Sequence, residues 1–141
     1  MKNKINIKVV NSINKFKAKD WDNCNKNGNV FLSYNFLKLL EDSNSIGGNT
    51  GWQPIYFCLK VDDKITAVVP SFIKYHSQGE FVFDHSWAQA YQSLGLNYYP
   101  KLLIASPFSP VTGKRILVTQ NINALIKKKL FDFIKEFCKE K

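Results

Sequence analysis

Two apolar runs, Trp52 to Leu59 and Ile65 to Ile73, flank Asp62-Asp63-Lys64, and no other feature of the sequence restricts the possible folds so strongly. Both runs are rich in β-branched and aromatic side chains, which suit a pleated surface packed against other elements. The acidic pair between them leaves room only for a tight turn, so the segment predicts an antiparallel hairpin. A hairpin alone is not stable in water and must be covered by further strands or helices.

The remaining segments supply that cover. Ile5, Ile7 and Val9 recur at period two and predict an opening strand. Asp20-Trp21 begins a short helical or turn segment that ends in the polar Asn23 to Gly28. Ser33 is placed to cap a helix that carries Phe36, Leu37 and Leu40 on one face. Asp42 to Gly51 reads as a loop, Ser86 to Leu94 as a helix stopped by Gly95, and Lys101 to Ala105 as a strand. Pro107 to Gly113 is irregular, and a strand resumes from Arg115 to Val118. From about Asn121, Ile122, Leu125, Ile126, Leu130, Phe133, Ile134 and Phe137 follow helical spacing, which predicts an amphipathic helix packed on a sheet. The expectation is one α+β domain over residues 1–141, with a mixed, largely antiparallel sheet flanked by helices.

The formal charge of +9 invites a polyanion partner such as tRNA, yet all but one of the 20 basic residues are lysine. Arginine is the usual choice for gripping phosphates and reading bases, so a solvated basic surface is the favoured reading. No apolar run is long enough to span a membrane and no apolar stretch follows the basic N-terminus, so a cytoplasmic location is expected. Cys24, Cys58 and Cys138 are odd in number and widely spaced, as reduced thiols would be.

Chemistry-bearing side chains concentrate in Lys74 to Trp87, where both histidines lie. Glu80, Asp84 and His85 are the candidate catalytic groups, because each can hold or move a proton near neutral pH. In extended structure Glu80, Val82 and Asp84 would project to one face and Phe81, Phe83 and His85 to the other, burying the phenylalanines and leaving the carboxylates in a cleft. Equally, Asp84 could cap the helix that follows. Helical spacing of His76, Glu80 and Asp84 would align metal ligands, but Gly79 and Phe81-Val82-Phe83 oppose a helix, so no metal is expected. His76, Trp87, Tyr98, Tyr99, Lys101 and Arg115 are candidate substrate contacts: the aromatic rings for stacking, Tyr98, Tyr99 and Lys101 for steadying an oxyanion, and Arg115 for gripping a carboxylate or phosphate. For Trp87 and the tyrosines, including Tyr91, a place in the core is the commoner role of such spacing.

The element order is compatible with the first part of a GNAT-type acyltransferase. The blocks Gly51-Trp-Gln-Pro54, Lys74-Tyr-His-Ser-Gln-Gly-Glu-Phe-Val-Phe-Asp-His-Ser-Trp-Ala88, Tyr98-Tyr-Pro-Lys101 and Pro107-Phe-Ser-Pro-Val-Thr-Gly-Lys-Arg115 further resemble FemAB-like, GNAT-related proteins labelled as peptidoglycan-biosynthesis proteins in bacteria. The resemblance implies a GNAT-like fold and acyl or aminoacyl transfer to an amine acceptor such as a peptidoglycan precursor. Charged tRNA is the donor that this lineage implies. The Gln/Arg-x-x-Gly-x-Gly/Ala loop that cradles CoA in GNAT enzymes is missing, since Thr119 to Ala124 holds no glycine, and this argues against acetyl-CoA as a tightly bound cofactor. Members are longer and carry a second GNAT-like unit, so the chain resembles their N-terminal portion. A non-catalytic binding module is the rival reading. The last helix is expected to border a surface left for a missing C-terminal domain or for self-association.

Overall fold

The computed structural model describes residues 4–80, 83–120 and 122–140. Strands β2 (Trp52–Val61) and β3 (Lys64–Lys74) form the predicted hairpin, paired from Trp52–Lys74 to Val61–Lys64. Asp62 and Asp63 both take positive φ, 49° and 63°, the backbone that a two-residue turn needs to match the twist of its strands. Strand β1 (Ile5–Val10) pairs antiparallel with β2 at one edge. On the other side of β3 stand two short strands: β4 (Lys101–Leu103), opposite Phe72 to Lys74, and β5 (Leu117–Val118), opposite Ala67 and Val68.

Both of these strands are shorter than their apolar sequences suggest, and Pro70 offers a reason. Continued in register, β4 and β5 would converge on Pro70, which has no N–H and is tolerated where a strand edge is free. Arg115 therefore lies outside β5.

Successive residues of β2 serve opposite cores, which is why the strand reads as a continuous apolar run instead of an alternating one. Tyr56 and Cys58, with Val68 and Phe72 of β3, face Ile13, Trp21, Leu32 and Leu37. Trp21 belongs to helix α1 (Ala18–Asp22) and Leu37 to helix α2 (Tyr34–Asp42), whose N-cap Ser33 accepts a hydrogen bond from Phe36 N as its sequence predicts. Glu41 locks this layer: it accepts hydrogen bonds from Ser12 Oγ at 2.6 Å, Ile13 N at 2.8 Å and the buried Tyr56 hydroxyl at 2.8 Å. Burial and the Glu41 carboxylate push the Tyr56 phenol far above its ordinary range.

Ile55, Phe57 and Leu59, with Ala67 and Val69, face Leu130 and Ile134 of helix α4 (Ala124–Lys139). The helix is capped by Asn123, and Ile122 is buried just before it begins. Its apolar arc closes on the sheet, leaving Leu125 and Phe131 exposed. The fold is thus an open antiparallel α+β sheet with helices on both faces. Cys24 and Cys58 are buried free thiols, and burial raises the Cys24 thiol to about 12. None of the described helices is long and apolar enough to cross a membrane.

Helix α3 (His85–Ser93) departs from this pattern. It ends at Leu94 and Gly95, where φ is +72°, as predicted, but it buries no residue. Trp87 is 65% exposed and Tyr91 41%, so neither takes the core position that their spacing suggested. Phe83 is also exposed, and residues 83 and 84 are not in a strand; Phe81 and Val82 lie outside the described residues.

Candidate functional site

The C-terminal end of β3 organises the polar chemistry. Lys74, its last residue, has the same parity as Val68 and Phe72 and so points into the core face, fully buried. Its ammonium lies 4.6 Å from the centre of the Trp52 ring, directly across the hairpin, and forms an ion pair with Glu80. A buried lysine needs such a partner, because an uncompensated charge costs several kcal/mol in a low-dielectric interior, on the order of 3 or more. Among the described residues, Lys74 Nζ makes no well-directed hydrogen bond.

The chain then turns through residues 75–80 and is pinned back on the hairpin. Tyr75 N donates to Gly51 O at 3.1 Å, Trp52 Nε1 to Gln78 O at 3.4 Å, and Gln78 N to His76 Nδ1 at 3.2 Å. The His76 imidazole covers Gly51, where any Cβ would overlap the ring. His76 is therefore a loop anchor in this geometry.

Asp84 collects the next set of groups. Its Oδ1 accepts from Ser77 and from the Tyr99 hydroxyl at 3.0 Å; its Oδ2 accepts from the Tyr98 hydroxyl at 2.9 Å and pairs with Lys101. Lys101 Nζ also reaches the Tyr98 hydroxyl at 3.1 Å and sits 4.4 Å above the Tyr98 ring. Asp84 occupies the N-cap position of α3, but its carboxylate caps no helical amide, because the ring of donors claims both oxygens. Burial raises the Tyr98 phenol to about 12, helped by its bond to Asp84 and the charges of Asp84 and Glu80. Burial and the neighbouring Lys74 charge pull Lys101 below the ordinary lysine range, while the charge of Glu80 opposes them.

Beside this ring, Trp52, Glu80, Leu103, Ser106 and Phe108 line a small pocket of about 160 Å³. The Ser106 hydroxyl is buried there without a partner among the described residues. Glu80 thus borders an apolar pocket, and its charge is felt by both Tyr98 and Lys101.

Of the residues singled out from sequence, the structure brings Glu80, Asp84, Tyr98, Tyr99 and Lys101 together. His85 opens α3 as an exposed side chain stacked on Phe83, with ring centroids 5.2 Å apart. Trp87 faces solvent, and Arg115 donates to Val111 O in a different loop. Sequence reasoning missed Lys74, Ser77 and Ser106. Only Lys74 carried a signal, as a cation on the buried parity of an apolar strand. No group of three or more His, Cys, Asp or Glu among the described residues could hold a metal ion.

Residues 12–141 match the FemAB-like family, described as peptidoglycan biosynthesis/recognition. The chain belongs to the FemAB-like family. No curated protein and no solved structure matches it. The match runs through every element of the FemAB-like chain after β1, and it includes both the Asp84 ring and the Lys74–Glu80 pair.

Proposed function

We propose that the chain is the N-terminal, GNAT-like domain of a FemAB-like transferase, which joins an acyl or aminoacyl group to an amine acceptor of the peptidoglycan-precursor kind. The observation that carries this reading is the convergence of Ser77, Tyr98, Tyr99 and Lys101 on the Asp84 carboxylate. An amine acceptor arrives as an ammonium ion and must lose a proton before it attacks. Asp84 is the group offered for that step, with an incoming ammonium taking the place of Lys101. A phenol held up at about 12 stays protonated at neutral pH, so Tyr98, by turning its one O–H away from Asp84, can donate to the oxyanion that forms on the acyl carbon, with the Lys101 charge beside it. Glu80 fixes Lys74 and borders the pocket that would seat the apolar part of the acyl group. The donor on this reading is an aminoacyl-tRNA, whose terminal ribose hydroxyl leaves the acyl carbon as the amide forms and takes up the proton that Asp84 removed from the amine.

A recognition module is the second reading, favoured by the number of partners that already engage Asp84 and by the exposed Trp87 and Tyr75 rings nearby. One experiment separates the two. The protein is incubated with charged tRNA, or with acetyl-CoA in a parallel arm, and a peptidoglycan precursor bearing a free stem-peptide amine, and the acceptor mass is followed. Transfer by the native chain, lowered about 100-fold or more in Asp84→Asn while acceptor affinity changes little, supports catalysis. Acceptor binding without any mass gain, with affinity lost in Asp84→Asn, supports recognition instead.

A further inference from the structure

A cavity that no carboxylate lines among the described residues lies away from the Asp84 ring, where β5 meets β3. The pairing of Val118 with Ala67 puts it seven residues along β3 from Lys74, about 23 Å at the rise of a strand. It encloses about 520 Å³ between the segment after α1 and the Pro/Gly-rich loop after β4, within the range of about 300–1,000 Å³ usual for small-molecule sites.

Its walls combine apolar surface, from Cys24, Leu117 and Val118, with polar and cationic groups. Asn25, Lys26 and Asn29 come from one side, and Thr112 and Lys114 from the other. Arg115, the one arginine of the chain, does not line the cavity but packs behind its Gly113 wall: a Cβ on Gly113 would lie 3.6 Å from its Nη1 and 3.1 Å from Asn29 Nδ2. The neighbouring hollow, which shares Thr119 and Gln120, mixes Asp20, Asp62 and Asp63 with Lys60 and Lys64.

Two buried atoms at the cavity lack partners among the described residues, and they are of opposite kinds. Asn25 is only 7% exposed; its Nδ2 donates to Asn29 O at 2.8 Å, while its Oδ1 accepts nothing. Arg115 Nη2 donates to Val111 O, while Nη1 donates to nothing. Leaving such groups unmet costs about 1–3 kcal/mol each. The Asn25 amide with its unmet oxygen and the two lysines of the wall describe the chemistry of a ligand, and the Arg115 charge stands behind them.

We propose that this cavity binds a small phosphate ester bearing free hydroxyl groups. A phosphate monoester carries roughly −1.5 to −2 charge at neutral pH and three acceptor oxygens, which answers Lys26, Lys114 and Arg115 better than a monovalent carboxylate. The hydroxyls answer Asn25 Oδ1 and the surrounding side-chain amides.

Calorimetry and amide-shift titrations with ribose 5-phosphate, inorganic phosphate and ribose, at about 0.15 M salt where diffuse surface attraction is screened, test the proposal. Ribose 5-phosphate is expected to saturate with Kd of about 1 mM or tighter and to shift the Asn25 and Gly113 amides. Inorganic phosphate should bind more weakly, and ribose not measurably. The exposed pair Lys26→Ala/Lys114→Ala should weaken the ester about tenfold or more, a loss of about 1.4 kcal/mol, whereas Lys128→Ala on the outer face of α4 should change nothing. Absence of saturation overturns the proposal, as does equal weakening by Lys128→Ala. Inorganic phosphate that binds as tightly as the ester would reduce the site to an adventitious ion only. An RNA oligomer that displaces the ester and is itself weakened by Lys128→Ala would assign the surface to nucleic acid and overturn the small-ligand reading.

Discussion

Lys74 and Glu80 hold each other in a place where neither is stable alone. Replacing the lysine by methionine keeps its length but strands a carboxylate against Trp52, and removing one member of a buried pair costs about 3–5 kcal/mol. Lys74→Met should lower unfolding stability in urea by that order, and the double variant Lys74→Met/Glu80→Gln should recover most of it. At Tyr98 the consequence is a pH dependence. Burial and the bond to Asp84 hold its phenol up at about 12, above the usual tyrosine value of about 10, so the unfolded state gives up the proton more readily. The contribution of this group is intact below about 10 and is lost as pH climbs through about 12. Absorbance titration should place one phenol transition near the upper value, and Asp84→Asn, which removes the carboxylate, should move that transition down.

The hairpin turn offers a test of element-level design. Asp63 holds a φ of 63°, which glycine adopts without the penalty that a side chain incurs, and Asp-Gly is the favoured pair for such a turn. Asp63→Gly should stabilise the fold by about 0.5–1 kcal/mol and raise Tm by a few degrees, because the Lys4–Asp63 ion pair that it removes is exposed and long at 3.9 Å. Elements specified by their own neighbourhoods were legible in sequence: the hairpin, the Ser33 cap of α2, the stop of α3 at Gly95 and the periodicity of α4. The lengths of β4 and β5 were not, because a strand ends where its partner stops offering bonds, and that partner lies tens of residues away. The Asp84 ring was half legible for the same reason. Its acids and tyrosines stand out by composition, but only the pairing of Lys101 with Lys74 brings them together, and nothing local foretells that His85 turns outward.

At the scale of the whole molecule, burial is uneven. β2 and β3 are enclosed between two cores, while α3 contributes no buried side chain to either. Hydrogen exchange should therefore rank Tyr56 to Leu59 and Ala67 to Val69 as slowest, with α4 next because Leu130 and Ile134 are buried. Amides of α3 should exchange orders of magnitude faster than those of the hairpin, at rates insensitive to mutations that destabilise the global fold by about 1–2 kcal/mol. Protection in α3 equal to that of the hairpin would show that its exposed stripe is covered, by a second copy or another segment.

Helix α3 is tethered to the body chiefly by Asp84 at its start and by the contact of Tyr91 with Tyr98, whose ring centroids are 5.1 Å apart. Breaking the Asp84 ring should therefore loosen the helix while leaving the sheet folded. A ligand that engages Asp84 must shift that equilibrium, and part of its interaction free energy goes into organising the helix. The affinity measured at such a place is lower than the contacts alone would give, and tolerance of varied ligands is correspondingly greater. Arrival of a ligand would be written in the exchange rates of Gln89 and Gln92, residues it never touches.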